Sequence, residues 1–152
     1  MHINVVIVED DTDIRQSLED MLTGCDGISC VASFPNAEEF IASFSYINAD
    51  VVLMDIGLPG KDGIAAVEQL KPKKPKVQYL ICTSFEEPEK TFQSLCAGAT
   101  GYLLKNCSAD TLLRAIKDIY NGGSPMSPQI ARLVVNSFNK QQKTISEYDT
   151  LT

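Results

Sequence analysis

Val51-Val52-Leu53-Met54-Asp55-Ile56-Gly57-Leu58-Pro59-Gly60-Lys61-Asp62-Gly63 runs four apolar residues straight into a carboxylate, then into a turn rich in glycine and proline. A buried strand that ends on an aspartate needs a reason, because a carboxylate there must be paired, hydrated or metal-bound. Working outward, four further apolar runs rich in β-branched residues recur along the chain: Ile3–Val8, Ile28–Phe34, Val77–Cys82 and Gly101–Leu104. Near-continuous hydrophobicity of this kind suits strands covered on both faces, as in a parallel sheet.

Segments of helical period lie between the runs. Ile14, Leu18, Met21 and Leu22 share one face, with Gly24 as a stop. Asn36 and Glu39 form a capping-box pattern before Phe40, Ile41 and Phe44. A third helix runs from Gly63 to a stop before Pro72, with Ile64, Val67 and Leu70 inward. A fourth starts near Pro88 and carries Phe92, Leu95 and Cys96. A fifth is capped by Ser108, striped by Leu112, Leu113, Ile116 and Ile119, and closed by Gly122-Gly123. Strand then helix, repeated, predicts a doubly wound α/β fold with a five-stranded parallel sheet and helices on both faces.

The character changes after Gly123. Pro128 opens a short amphipathic helix marked by Ile130, Leu133, Val134 and Phe138, and Asn139 to Thr144 reads as a polar linker. The expected organisation is one domain over 1–123, then a linker helix and linker over 124–152.

Composition narrows the function. Thirteen Lys and Arg against twenty Asp and Glu leave a net charge of -7, which argues against nucleic-acid binding by these 152 residues. Lys71, Lys73, Lys74 and Lys76 form a basic run broken by prolines, read as a solvated loop. Five cysteines with no CxxC pair argue against a disulfide framework or structural zinc, and the cytoplasm is the expected compartment. No stretch approaches the ~18 apolar residues of a membrane span, and the N-terminus lacks a signal-peptide pattern.

The first run ends in Glu9-Asp10-Asp11 and the third in Asp55. Open parallel sheets bind ligands beyond the carboxyl ends of their strands, where strand order reverses. If the first and third strands are neighbours, Glu9, Asp10 and Asp55 converge and repel unless a cation intervenes. Mg²⁺ is the natural candidate for such hard oxygen ligands. Asp11 or Thr12 is then left to cap the first helix. Thr83-Ser84 and Lys105 end the fourth and fifth runs and bring a hydroxyl and an ammonium to the same edge. That set suits an aspartyl phosphate on Asp55, with Mg²⁺, Thr83 and Lys105 neutralising the phosphoryl oxygens.

In order and spacing, VVIVEDD at 5–11, VLMDIGLPGKDG at 52–63, CTS at 82–84 and GYLLK at 101–105 resemble the motifs of a response-regulator receiver domain. The resemblance covers residues 3 to 122. It implies a flavodoxin-like sheet of order 2-1-3-4-5. It implies that a histidine kinase phosphorylates Asp55, and that the Gly57 backbone carbonyl joins Glu9, Asp10 and Asp55 around Mg²⁺. It also implies an aromatic switch at Tyr102 that follows Thr83, with output through dimerisation or an effector rather than enzymatic turnover.

Glu9 stands where many members have Asp, and Asn106 follows Lys105 where many have proline. The lysine–asparagine pair and the helix after Ser127 resemble the subfamily with a C-terminal LuxR/NarL-type helix-turn-helix. The terminal Leu151-Thr152 looks like the first residues of that DNA-binding domain. DNA would then be reached only through this absent effector.

Other classes fit less well. A haloacid-dehalogenase-type phosphatase needs a second acid where Gly57 stands, and a flavin carrier would not tolerate the acidic loop after the first strand. A receiver-like module that acts without phosphorylation is the remaining alternative. Gly57 and Phe85, neither able to orient a water, predict slow loss of the phosphoryl group.

Overall fold

The computed structural model describes residues 2–58, 60, 62–83, 88–105 and 107–150, apart from the side chains of 88, 89, 91, 92, 137 and 141–150. Ser84, Phe85, Asn106, Leu151 and Thr152 therefore lie outside the described residues, as do the side chains of Phe92 and Tyr148.

The strands are β1 (Ile3–Val8), β2 (Ile28–Phe34), β3 (Val51–Met54), β4 (Gln78–Thr83) and β5 (Gly101–Leu104). They form one parallel sheet in the order β2-β1-β3-β4-β5. Central strand β3 is buried along its whole length, which is why its sequence reads as an unbroken apolar run. The fourth strand begins one residue later than its apolar run, because the Val77 N–H closes a turn onto Lys74 O.

The helices are α1 (Thr12–Thr23), α2 (Ala37–Ser43), α3 (Gly63–Leu70), α4 (Pro88–Ala97), α5 (Ala109–Tyr120) and α6 (Pro128–Thr150), with a 3-10 turn at Phe44–Tyr46. Their starts follow the capping chemistry. Asp11 accepts from the N–H groups of Asp13 and Ile14, Asn36 from Glu39, Asp62 from Ala65, and Ser108 from Thr111.

One face of the sheet packs on α1 and α5 through Leu22, Leu112, Ile116 and Ile119. The other face packs on α2, α3 and α6 through Phe40, Val67, Leu70 and Ile130. Chain reversal between β1 and β3 leaves the crevice at the carboxyl ends of these two strands.

Two expectations change. The last helix does not stop near Phe138 but runs on to Thr150, since no glycine or proline interrupts 129–150 and Lys and Gln are good helix formers. The basic run is not simply solvated. Lys74 Nζ donates to the carbonyls of Phe44 and Ile47, both at 2.9 Å, and lies 4.8 Å from the Phe44 ring centroid. Lys71 Nζ donates to Val77 O at 2.7 Å.

Candidate functional site

β1 and β3 pair in parallel with Val8 opposite Met54, so the next residues, Glu9 and Asp55, leave the sheet side by side. The Asp55 N–H donates to Val8 O at 3.1 Å and fixes that register. Both carboxylates are buried, with Glu9 2% and Asp55 5% exposed, while Asp10 is open to solvent. One carboxylate oxygen from each of Glu9, Asp10 and Asp55 lies within 4.8 Å of the other two. The acidic convergence expected from the sequence is therefore present.

Lys105 closes the cluster from β5. Its Nζ donates to Glu9 Oε1 at 2.7 Å and to Asp55 Oδ2 at 2.9 Å. On the other side, the Gly57 N–H donates to Asp55 Oδ1 at 3.0 Å. The Asp55 carboxylate is thus held at both oxygens. Thr83 ends β4 fully buried, and its carbonyl accepts from the Lys105 N–H at 2.8 Å, which places its residue beside the lysine. Tyr102 is fully buried in the core on β5.

A family model described as "Response regulator receiver domain" matches residues 5–117. The chain belongs to the response-regulator receiver family. Among its relatives, the Transcriptional regulatory protein LnrK of Bacillus subtilis is 30% identical over 149 residues, covering 97% of this chain and 68% of LnrK. The Response regulator GacA of Pseudomonas aeruginosa is 31% identical over 151 residues, covering 99% of this chain and 70% of GacA. In three dimensions the receiver superposes on a LuxR-family two-component response regulator from Aurantimonas with a TM-score of 0.84 and 27% identity, covering 90% of this chain and 98% of that one.

The receiver's electrostatics follow from burial and crowding. Burial pushes the Glu9 carboxyl up to about 7; Asp55 pushes the same way, and Lys105 holds it partly down. Burial pulls the Lys105 ammonium down, but its bonds to Glu9 and Asp55 outweigh this and leave it raised overall. A site with excess acid, hard oxygen donors and one carboxyl forced toward its neutral form fits a divalent cation such as Mg²⁺. Glu9, Asp10 and Asp55 would hold the ion, and it would supply positive charge that favours the charged form of Glu9.

Behind the acidic cluster lies a cavity of about 130 Å³, lined by Ile7, Leu18, Met21, Leu53, Cys82 and Leu112 among others. Two residues given no part in the site by the sequence reading also shape it. Arg15 reaches back from α1 and donates through Nη1 to Glu9 O at 2.7 Å. Its position one turn into the helix is the available signal, since helical side chains lean toward the N-terminus. Gly63 lets the start of α3 press on the end of β3: a Cβ there would meet Asp55 O at 2.5 Å and Met54 Cγ at 2.9 Å. The Phe85 half of the predicted slow phosphoryl loss lies outside the described residues.

Proposed function

We propose that this receiver takes a phosphoryl group from a histidine kinase onto Asp55. The carrying observation is the doubly tethered Asp55 carboxylate, buried beside Glu9 and Lys105 at the sheet's reversal point. Tethering at both oxygens fixes the rotation of the nucleophile before the donor arrives. In the transfer a carboxylate oxygen bonds to phosphorus as the phosphorus–nitrogen bond of the kinase's phosphohistidine breaks. Lys105 and the Thr83 hydroxyl then stand at the edge where the phosphoryl oxygens accumulate charge.

Mg²⁺ is the proposed partner ion, held by Glu9, Asp10, Asp55 and the Gly57 carbonyl, and it neutralises phosphoryl charge when bound. Tyr102 is the proposed switch residue behind Thr83. Output is a phosphorylation-dependent homodimer acting in the cytoplasm on transcription through a C-terminal DNA-binding effector. Support for this comes from the name Transcriptional regulatory protein carried by LnrK, of which the chain covers 68%. In this reading residues 1–123 are the receiver and 124–152 the connection to the effector. Among the described residues no helix is long and apolar enough to cross a membrane.

Intact mass after incubation with acetyl phosphate tests the reading. A single phosphoryl adduct that requires Mg²⁺ and is absent from Asp55→Ala supports it. No adduct despite measured Mg²⁺ binding would leave a module that acts without phosphorylation.

A further inference from the structure

β5 ends the sheet, and its outer edge is not bare. Residues 125–127 run beside it as a short parallel bridge, with Met126 opposite Tyr102. The Tyr102 N–H donates to Pro125 O at 3.0 Å, and the Ser127 N–H donates to Tyr102 O at 3.2 Å. Ser127 then reaches further along the strand, where its Oγ accepts from the Leu104 N–H at 3.2 Å. Its carbonyl also accepts from the Ala131 N–H at 2.9 Å, in the first turn of α6. Ser127 therefore ties the strand edge and the helix start together.

Beyond Ser127, α6 packs on α4, and Ile130 is fully buried in the same core cluster as Tyr102 and Leu104. Leu133 and Val134 pack against that cluster too. Leu104 immediately precedes Lys105, whose ammonium bonds Asp55. Only one peptide unit thus separates the residue that senses Asp55 from the residue that Ser127 holds.

We propose that 125–134 is a cis-acting clamp on the β5–α4 face, and that phosphorylation of Asp55 loosens it. The inference rests on the phosphoacceptor reading of Asp55. In the unphosphorylated protein Lys105 is drawn to Glu9 and Asp55. A phosphoryl group on Asp55 recruits the ammonium to its own oxygens, and the end of β5 moves with it. Two of the three edge bonds are made by Ser127, so a shift of the end of β5 strains both together. The coupling is reciprocal: whatever frees α6 also favours the phosphorylated state. The signal then leaves the receiver as a change in the docking of α6.

Hydrogen exchange with and without Mg²⁺ and beryllofluoride, an aspartyl-phosphate mimic, tests this on the 152-residue chain, with fluorine NMR reading uptake separately. With uptake, the amides of Tyr102, Leu104 and residues 130–138 exchange faster by about 5-fold or more, the low end of ordinary allosteric coupling. Ile130→Asp exchanges rapidly at these amides before any ligand is added, and it binds beryllofluoride tighter by a similar factor. Ser127→Ala, which leaves the core intact, shows the same trend at Leu104 even if Ile130→Asp does not fold. Uptake with unchanged exchange at these amides overturns the clamp and leaves the phosphoacceptor reading standing. No uptake by the wild type overturns both, and the missing bound-fluorine signal identifies that case.

Discussion

Lys105 Nζ stands 2.9 Å from Asp55 Oδ2, and the same ammonium is 2.7 Å from Glu9 Oε1. One cation from the end of β5 thus bridges two buried carboxylates from the ends of β1 and β3. This bridge sets the charge balance of the site before any ligand binds. It also links Asp55 to the strand whose outer edge carries the connection to α6.

Lys105→Met separates the roles of this cation. Its removal leaves the acid cluster more negative, so Mg²⁺ binding tightens. Phosphoryl uptake falls by about 100-fold or more, because the charge that stabilises the transferring oxygens is gone. Titration calorimetry for Mg²⁺ and intact-mass kinetics with acetyl phosphate read the two effects separately. An equal loss of both would show that the lysine merely holds the fold together.

Gly63→Ala tests the close approach of α3 to the strand end. The added Cβ would lie 2.5 Å from the Asp55 carbonyl and 3.1 Å from the Ile56 Cα, both backbone atoms with little room to move. Overpacking of this kind costs about 1–3 kcal/mol. Urea denaturation should show that loss, together with slower phosphoryl uptake as Asp55 shifts. Unchanged stability would mean that α3 can slide.

The strand ends, and hence the site, were legible because the physics there is local. Both faces of β3 are covered, so Val51–Met54 is apolar throughout and the polar residue that follows marks the sheet edge. Parallel pairing of β1 with β3 then brings Glu9 to Asp55 without further information. What stayed hidden depends on distant partners or on weak signals. Lys74 looks like any loop lysine until carbonyls 30 and 27 residues away converge on it. Residues 139–150 have no apolar stripe, so their helix rests on propensity and on continuity from the docked first turns of α6. Ser127 reads only as the residue before the Pro128 helix, yet its hydroxyl accepts from the Leu104 N–H of β5.

Arg15→Ala tests support of the acidic loop. The guanidinium holds Glu9 through its carbonyl, so it orients the carboxylate without touching a ligand. Loss of such an orienting contact around a metal site costs about 10-fold in affinity. The Mg²⁺ dissociation constant should rise by that factor while the urea midpoint stays close to wild type, and Arg15→Lys should recover part of the loss. A variant that binds Mg²⁺ as tightly as wild type would show that the loop is rigid without the arginine.

Glu9 makes stability depend on pH in an unusual direction. Its carboxyl titrates near 7 in the folded chain, against an ordinary value of 4.5. Between those values the folded state binds more protons than the unfolded state, so stability falls as pH rises from about 4.5 to 7. At roughly 1.4 kcal/mol for each pH unit crossed, the loss is about 3 kcal/mol over that window in metal-free protein. Urea melts in EDTA between pH 5 and 7.5 should show the decline, and Glu9→Gln should remove most of it. The same carboxyl is about half protonated near pH 7, so a cation that needs its charged form must displace that proton. Mg²⁺ binding at pH 7 should therefore release about half a proton, read as a calorimetric heat that varies with the buffer's ionisation enthalpy, and Glu9→Gln should abolish the dependence. A buffer-independent heat in the wild type would place Glu9 outside the metal's coordination.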